Sequence, residues 1–139
     1  DFSSSNIIRG TEGGIIPSLR QNGKVHFYNS KDEQDHEIDI NPKDLGITDA
    51  SRAVDIPEKI SRKNTIDKIE TKVDASDIAM VSAKLGADAL KGEDGPMKSC
   101  ILLGATLILH RVTGESLDRC SSEVLKVLAS GSALKRLKK

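Results

Sequence analysis

From Met97 to Val112 almost every residue is apolar, and Pro96 and Gly114 bracket the run. No other stretch constrains the fold as strongly. Proline is tolerated at the first helical position, where the N–H would have no partner anyway, and glycine is the usual residue just past a helix end. The brackets therefore predict a helix that opens at Pro96, is approached by Glu93-Asp94-Gly95, and stops at Gly114. Cys100, Ile101, Leu102, Leu103, Ala105, Leu107, Ile108 and Leu109 leave it no polar face. A helix that is apolar all round reads as buried. Gly104, Thr106, His110 and Arg111 interrupt it too often for a membrane span. The rest of the chain is expected to pack around this helix.

Two further helices follow from local signals. Ser116 reads as an N-cap, with Leu117, Cys120, Val124, Val127 and Leu128 behind it at helical spacing. Upstream, Asp74-Ala75-Ser76 caps a helix whose inward face is Ile78, Val81, Leu85 and Ala89 and whose end is Gly92. Its small residues Ala79, Ala83, Gly86 and Ala87 permit close approach of a neighbour. Ser130-Gly131-Ser132 breaks the helical pattern, and Ala133 to Lys139 forms a short basic end. Arg136, Lys138 and Lys139 are explained more cheaply as cations at a helix C-terminus than as a nucleic-acid patch.

The first third reads as strands. Asn6-Ile7-Ile8 predicts a buried strand, followed by the turn Arg9-Gly10-Thr11-Glu12-Gly13-Gly14. Glycines after a strand let the backbone turn sharply or approach a ligand closely. The pattern is neither G-x-G-x-x-G nor a P-loop, so a plain connecting turn is the simpler reading of the spacing. Ile15 to Leu19 is a second extended stretch, placed at an edge by Pro17. Asn22-Gly23 signals a hairpin, with Val25-His26-Phe27-Tyr28 as the return strand. Asn29 to His36 reads as a polar loop, and Glu37-Ile38-Asp39-Ile40 as a third strand of a small antiparallel sheet. Asn41 caps a single helical turn opened by Pro42 and stopped by Gly46. Asp55 to Ile60 carries a short-helix pattern. Arg62 to Lys72 is charged, with Ile66 and Ile69 its only large apolar residues, and reads as a surface excursion. The expectation is an α/β chain: a sheet region over about residues 5–47, an excursion over about 48–73, and a helical bundle over about 74–139 around the buried helix.

Composition narrows the chemistry. At 139 residues this is one domain's worth, and 21 basic residues against 21 acidic ones single out no partner. Aromatic residues make up 2% and Trp is missing, so stacking on bases is poorly supplied. Cys100 and Cys120 read better as buried free thiols of a reducing compartment than as a disulfide framework. His26, His36 and His110 have no metal-ligand spacing, and His110 on an apolar helix reads as a core histidine. No Ser-His-Asp set, Cys-x-x-Cys pair or Walker loop is present.

The order of segments resembles a known family. Ile7-Ile8-Arg9-Gly10-Thr11-Glu12-Gly13 is similar to the Val-His-Gly-type turn of the anthranilate phosphoribosyltransferase-like proteins, glycosyltransferase family 3. Ile40-Asn41-Pro42-Lys43-Asp44-Leu45-Gly46-Ile47 resembles their Pro-x-Asp-Phe-Gly-Leu segment. Leu90-Lys91-Gly92-Glu93-Asp94-Gly95-Pro96 resembles their Leu-x-Gly-x-x-Gly-Pro turn before an apolar helix. Gly114-Glu115-Ser116-Leu117 and Ser130-Gly131-Ser132-Ala133 resemble their closing helices. The resemblance spans nearly the whole chain and makes it the C-terminal part of the family's larger α/β domain. A chain that starts at Asp1 without Met fits such a piece.

What the resemblance implies is transfer of phosphoribose from phosphoribosyl pyrophosphate to an aromatic or other small acceptor, with Mg²⁺, as in tryptophan biosynthesis. The family's active site lies between a small helical N-terminal domain and the α/β domain. Its pyrophosphate loop belongs to the half missing here, so this chain would supply one wall of the cleft and be inactive alone. Arg9, Gly10, Thr11 and Glu12 would face the substrate, with no metal held by this chain. A homodimer would form through the missing domain, no membrane is involved, and the location would be intracellular, in the cytoplasm or an organelle. The departures are specific. Gly14-Ile15-Ile16 stands where the family carries a metal-holding Asp-Glu pair, which leaves Glu12 as the nearby carboxylate. Gly104 stands where the family commonly shows Asn. The Arg-Gly-Thr-Glu-Gly form is closer to a divergent branch associated with nucleic-acid binding. A non-catalytic nucleic-acid binder is therefore the second reading, and an inert core piece the third.

Overall fold

The computed structural model describes residues 4–9, 12, 17–29, 34–55, 61–66, 69–73 and 75–137. Strands and helices are segregated along the chain. β1 (Ser4–Arg9), β2 (Gly23–Asn29) and β3 (Gln34–Ile40) form an antiparallel meander in the order β1-β2-β3. A 3₁₀ turn follows at Pro42–Leu45. β4 (Ser61–Ile66) and β5 (Ile69–Val73) make a separate two-stranded antiparallel sheet. Four helices close the chain: α1 (Ala75–Leu90), α2 (Pro96–Thr113), α3 (Leu117–Ala129) and α4 (Ser132–Leu137).

Alternation sets the sheet's inner face. Val25 and Phe27 are buried while Lys24, His26 and Tyr28 are exposed, the two-residue period of a strand with one face on the core. On β3, Ile38 and Ile40 turn inward and Glu37 and Asp39 outward. The core joins this face to α2: Leu19, Val25, Phe27, Ile40, Leu45 and Ile47 pack with Leu102, Leu103 and Leu107. Each fully buried leucine contributes about 1.5–3 kcal/mol of transfer free energy. Phe27 also meets the His110 ring edge to face, with centroids 5.5 Å apart.

Helix ends follow the local signals. Asn41 caps the 3₁₀ turn by accepting from the Lys43 N–H, and Gly46 stops it. Ser116 accepts from the Arg119 N–H at the start of α3. Gly114 takes the left-handed conformation, φ 72°, and its N–H returns to the His110 carbonyl.

Several expectations need correcting. Asn22-Gly23 is not a tight hairpin, because Arg9 pairs with Lys24 and residues 10–22 form the connection. Pro17 to Leu19 lies in no strand, although Leu19 is fully buried; residues 15 and 16 lie outside the described residues. The polar stretch read as a loop over Asn29 to His36 is strand at both ends, since β2 reaches Asn29 and β3 begins at Gln34; residues 30–33 lie outside the described residues. Ile7 is 64% exposed, not buried, because it lies beside His26 on the outer face of the sheet. The excursion contains the β4–β5 hairpin, whose ladder satisfies backbone groups without an apolar pattern. The short helix expected over Asp55 to Ile60 falls on residues 56–60, outside the described residues. α2 is not buried all round: Ile108 is 62% and Val112 77% exposed. On α3, Val127 is 41% exposed although Cys120 and Leu128 are buried. No helix among the described residues is long and apolar enough to cross a membrane.

Candidate functional site

The turn that leaves β1 is the first candidate. Arg9 is the last residue of the strand and is held in the ladder opposite Lys24. Gly10 and Thr11 lie outside the described residues. Glu12 has a side chain only 13% exposed. Its Oε1 accepts from Arg20 Nε at 2.9 Å and Nη2 at 2.5 Å, and its Oε2 accepts from Ser18 Oγ at 2.5 Å. These hydrogen bonds, that to Arg20 foremost, hold the Glu12 carboxyl below the ordinary carboxylate range, and the Arg52 charge adds to the effect.

The clamp extends into the fold. Ser18, itself buried, also accepts from the N–H groups of Arg20 and Gln21. Leu19 N–H donates to the Arg52 carbonyl at 2.9 Å, and Arg20 Nη1 reaches the Ala50 carbonyl at 3.4 Å. Residues 18–20 thus tie the turn to the segment around 50–52. Sequence reasoning missed Ser18 and Arg20, which carry no periodic signal. Their one legible trait was being a hydroxyl and a guanidinium close downstream of an isolated carboxylate.

The donor set does not suit Mg²⁺. That ion demands near-octahedral oxygen ligation at about 2.0–2.1 Å. Here the carboxylate is already committed to three donors, and a guanidinium stands against it. Among the described residues no group of three or more His, Cys, Asp or Glu side chains could hold a metal ion.

The antiparallel meander sets the surroundings of Arg9. In an open parallel sheet all strands end at one carboxyl edge, where ligands bind. Here β1 and β2 run oppositely, so Arg9 shares its edge with the start of β2, not with other strand ends.

The start of α2 is the second candidate. Gly95 precedes it without a side-chain cap, and Pro96 brings no N–H. Two clefts, of about 290 and 350 Å³, meet there and share Asp94, Gly95 and Lys98. Lys98 Nζ is spent on Asp94 Oδ1 at 2.7 Å and the Gly92 carbonyl at 3.2 Å. Asp49 lines the first cleft, and Asp55, Asp88 and Glu93 line the second, so carboxylates surround the helix end. Glu12 lines neither cleft.

The remaining reactive groups are engaged structurally. His110 Nδ1–H donates to the Glu115 carbonyl at 2.6 Å, the satisfied core histidine expected from the sequence. Cys100 and Cys120 are free thiols, the first half-buried and the second buried. Burial pushes the Cys100 thiol up, away from the thiolate form that reacts.

No protein-family model matches the chain, and no curated protein matches it either.

Proposed function

We propose that this chain is the C-terminal portion of a phosphoribosyltransferase-like protein, supplying one wall of a cleft and transferring nothing by itself. The observation that carries this reading is the coincidence of elements with resembling segments. β1 ends at Arg9, the 3₁₀ turn runs from Pro42 to its stop at Gly46, and α2 opens at Gly95-Pro96. Each falls on a segment that resembles glycosyltransferase family 3, in the same order. The donor is phosphoribosyl pyrophosphate, the acceptor a small molecule, and the protein works inside the cell. In this reading the pyrophosphate loop comes from the family's other half, and Glu12, committed to Arg20 and Ser18, is not the Mg²⁺ ligand.

A nucleic-acid role is the weaker reading on charge. Among the described cations, Arg20, Lys24, Lys91, Lys98, Arg119 and Lys126 each sit against a carboxylate. Paired cations release few phosphate counterions, and that release drives nucleic-acid affinity.

Calorimetric titration of phosphoribosyl pyrophosphate into the longer protein tests the proposal. Binding that needs Mg²⁺ is the expected result. A longer protein that ignores this ligand but binds nucleic acid with a steep salt dependence would replace the first reading with the second.

A further inference from the structure

We propose that the outer face of α2 is the seam on which the preceding half of the longer protein docks, through an apolar layer that brings a carboxylate to Arg111; the inference rests on reading this chain as the C-terminal portion of a larger α/β domain. The face follows from spacing. Ile101, Ala105, Ile108 and Val112 succeed one another every three or four residues, so they form one stripe along the helix. Leu102, Leu103 and Leu107 take the sheet side instead. Ile108 is 62% and Val112 77% exposed, while Ile101 and Ala105 are half-buried. Gly104 borders the stripe, and a Cβ placed there would meet nothing within 4 Å. Contiguous apolar surface left open in this way marks an interaction site, which scattered single residues do not.

Charge chooses the occupant. Arg111 flanks the stripe, three residues beyond Ile108 and therefore beside it on the helix surface. Its Nη2 donates to the Tyr28 carbonyl at 3.1 Å, its Nε is buried without a partner, and among the described residues no carboxylate meets its charge. A layer that covers this face takes Arg111 further from water, which is costly unless the layer supplies an acceptor. A second copy laid on the same face would set the patch against itself, as isologous contacts do. α2 holds no Asp or Glu, so two Arg111 charges would enter that contact with no carboxylate from the facing helix. The preceding half of the domain carries no such restriction, and in the proposed reading it shares one core with α2.

Thiol labelling of the longer protein and of the isolated chain tests the seam. Ile108→Cys and Val112→Cys are compared with Leu137→Cys, whose parent residue is 71% exposed, and peptide mapping reads each position apart from Cys100 and Cys120. In the longer protein the first two variants should react with a maleimide at least about tenfold more slowly than the third, as groups reached only by local opening do. In the isolated chain all three should react alike at any protein concentration. Equal rates in the longer protein would overturn the seam. Protection in the isolated chain that grows with concentration would overturn the choice of occupant in favour of a second copy. Arg111→Leu should raise both protected rates in the longer protein, and Arg111→Lys should raise them less; rates indifferent to Arg111 would overturn the ion pair. If Arg111→Leu does not fold, Arg111→Lys decides, through a partial rise or none. A longer protein that protects position 108 but ignores phosphoribosyl pyrophosphate would keep the seam and lose the proposed function, whereas one that binds this ligand with position 108 open would keep the function and lose the seam.

Discussion

Leu103 and Ile108 sit five residues apart on the same apolar helix, yet one is 1% exposed and the other 62%. Five residues at 3.6 per turn place them about 140° apart around the axis. Leu103 and Leu107 share the face that meets Val25 and Phe27 of the sheet, while Ile108 and Val112 share a face that no described residue covers closely. The two sides of α2 have the same composition and different surroundings. Apolar content decides that a segment will be helical and sheltered somewhere; the partner layer decides which side.

That comparison breaks first at Leu103. Leu103→Ala should cost about 2–5 kcal/mol, through lost transfer energy and the cavity left behind. Ile108→Ala should stay within about 0.5 kcal/mol, as exposed substitutions do. Urea midpoints of the two variants check this; equal losses would mean that the outer face of α2 is covered in solution.

Glycines on and beyond the same helix sharpen it at smaller magnitude. Gly114 stands at φ 72°, so Gly114→Ala should cost about 1–2 kcal/mol for a left-handed alanine. Gly104 lies mid-helix, where an added Cβ meets nothing within 4 Å. Gly104→Ala should stabilise by about 0.5–1 kcal/mol. Opposite signs in thermal melts are expected, and like signs would show that one of these backbone positions is misread.

The Pro96 and Gly114 limits of α2 and the Ser116 cap of α3 were legible because caps are local: the residue and the group it satisfies lie within a turn of each other. The same holds for Asn41, Pro42 and Gly46. The pairing of β2 was not legible, because its partner on one side is β1, across residues 10–22, and Asn22-Gly23 offered a cheaper local explanation. β4 and β5 were missed because Arg62 to Lys72 lacks the alternation that marks a half-buried strand. At the candidate site the Arg9 to Glu12 turn was visible as a run of glycines around charged residues. The grip of Ser18 and Arg20 on Glu12 was not, since it joins residues six and eight positions apart and follows no repeating period.

The smallest expected effect is electrostatic. The folded Glu12 carboxyl titrates below its unfolded value, chiefly through its hydrogen bond from Arg20. Its contribution is therefore complete above that value and disappears as pH falls through the lower folded one. Glu37, Asp88 and Asp94 are lowered in the same sense by Lys24, Lys91 and Lys98. Urea midpoints should fall between pH 6 and about pH 3, and Arg20→Met should shrink that fall slightly, since partly exposed pairs contribute little. A fall undiminished in Arg20→Met would show that the clamp adds nothing to stability.

The central claim, that this chain is one wall of a phosphoribosyl-transferring cleft, is tested most directly by comparing the isolated chain with the longer protein in the release of pyrophosphate from phosphoribosyl pyrophosphate, supplied with Mg²⁺ and a set of small aromatic acceptors. The account predicts release by the longer protein and none by the isolated chain. Release by the isolated chain, or binding of nucleic acid alone by the longer protein, would contradict it.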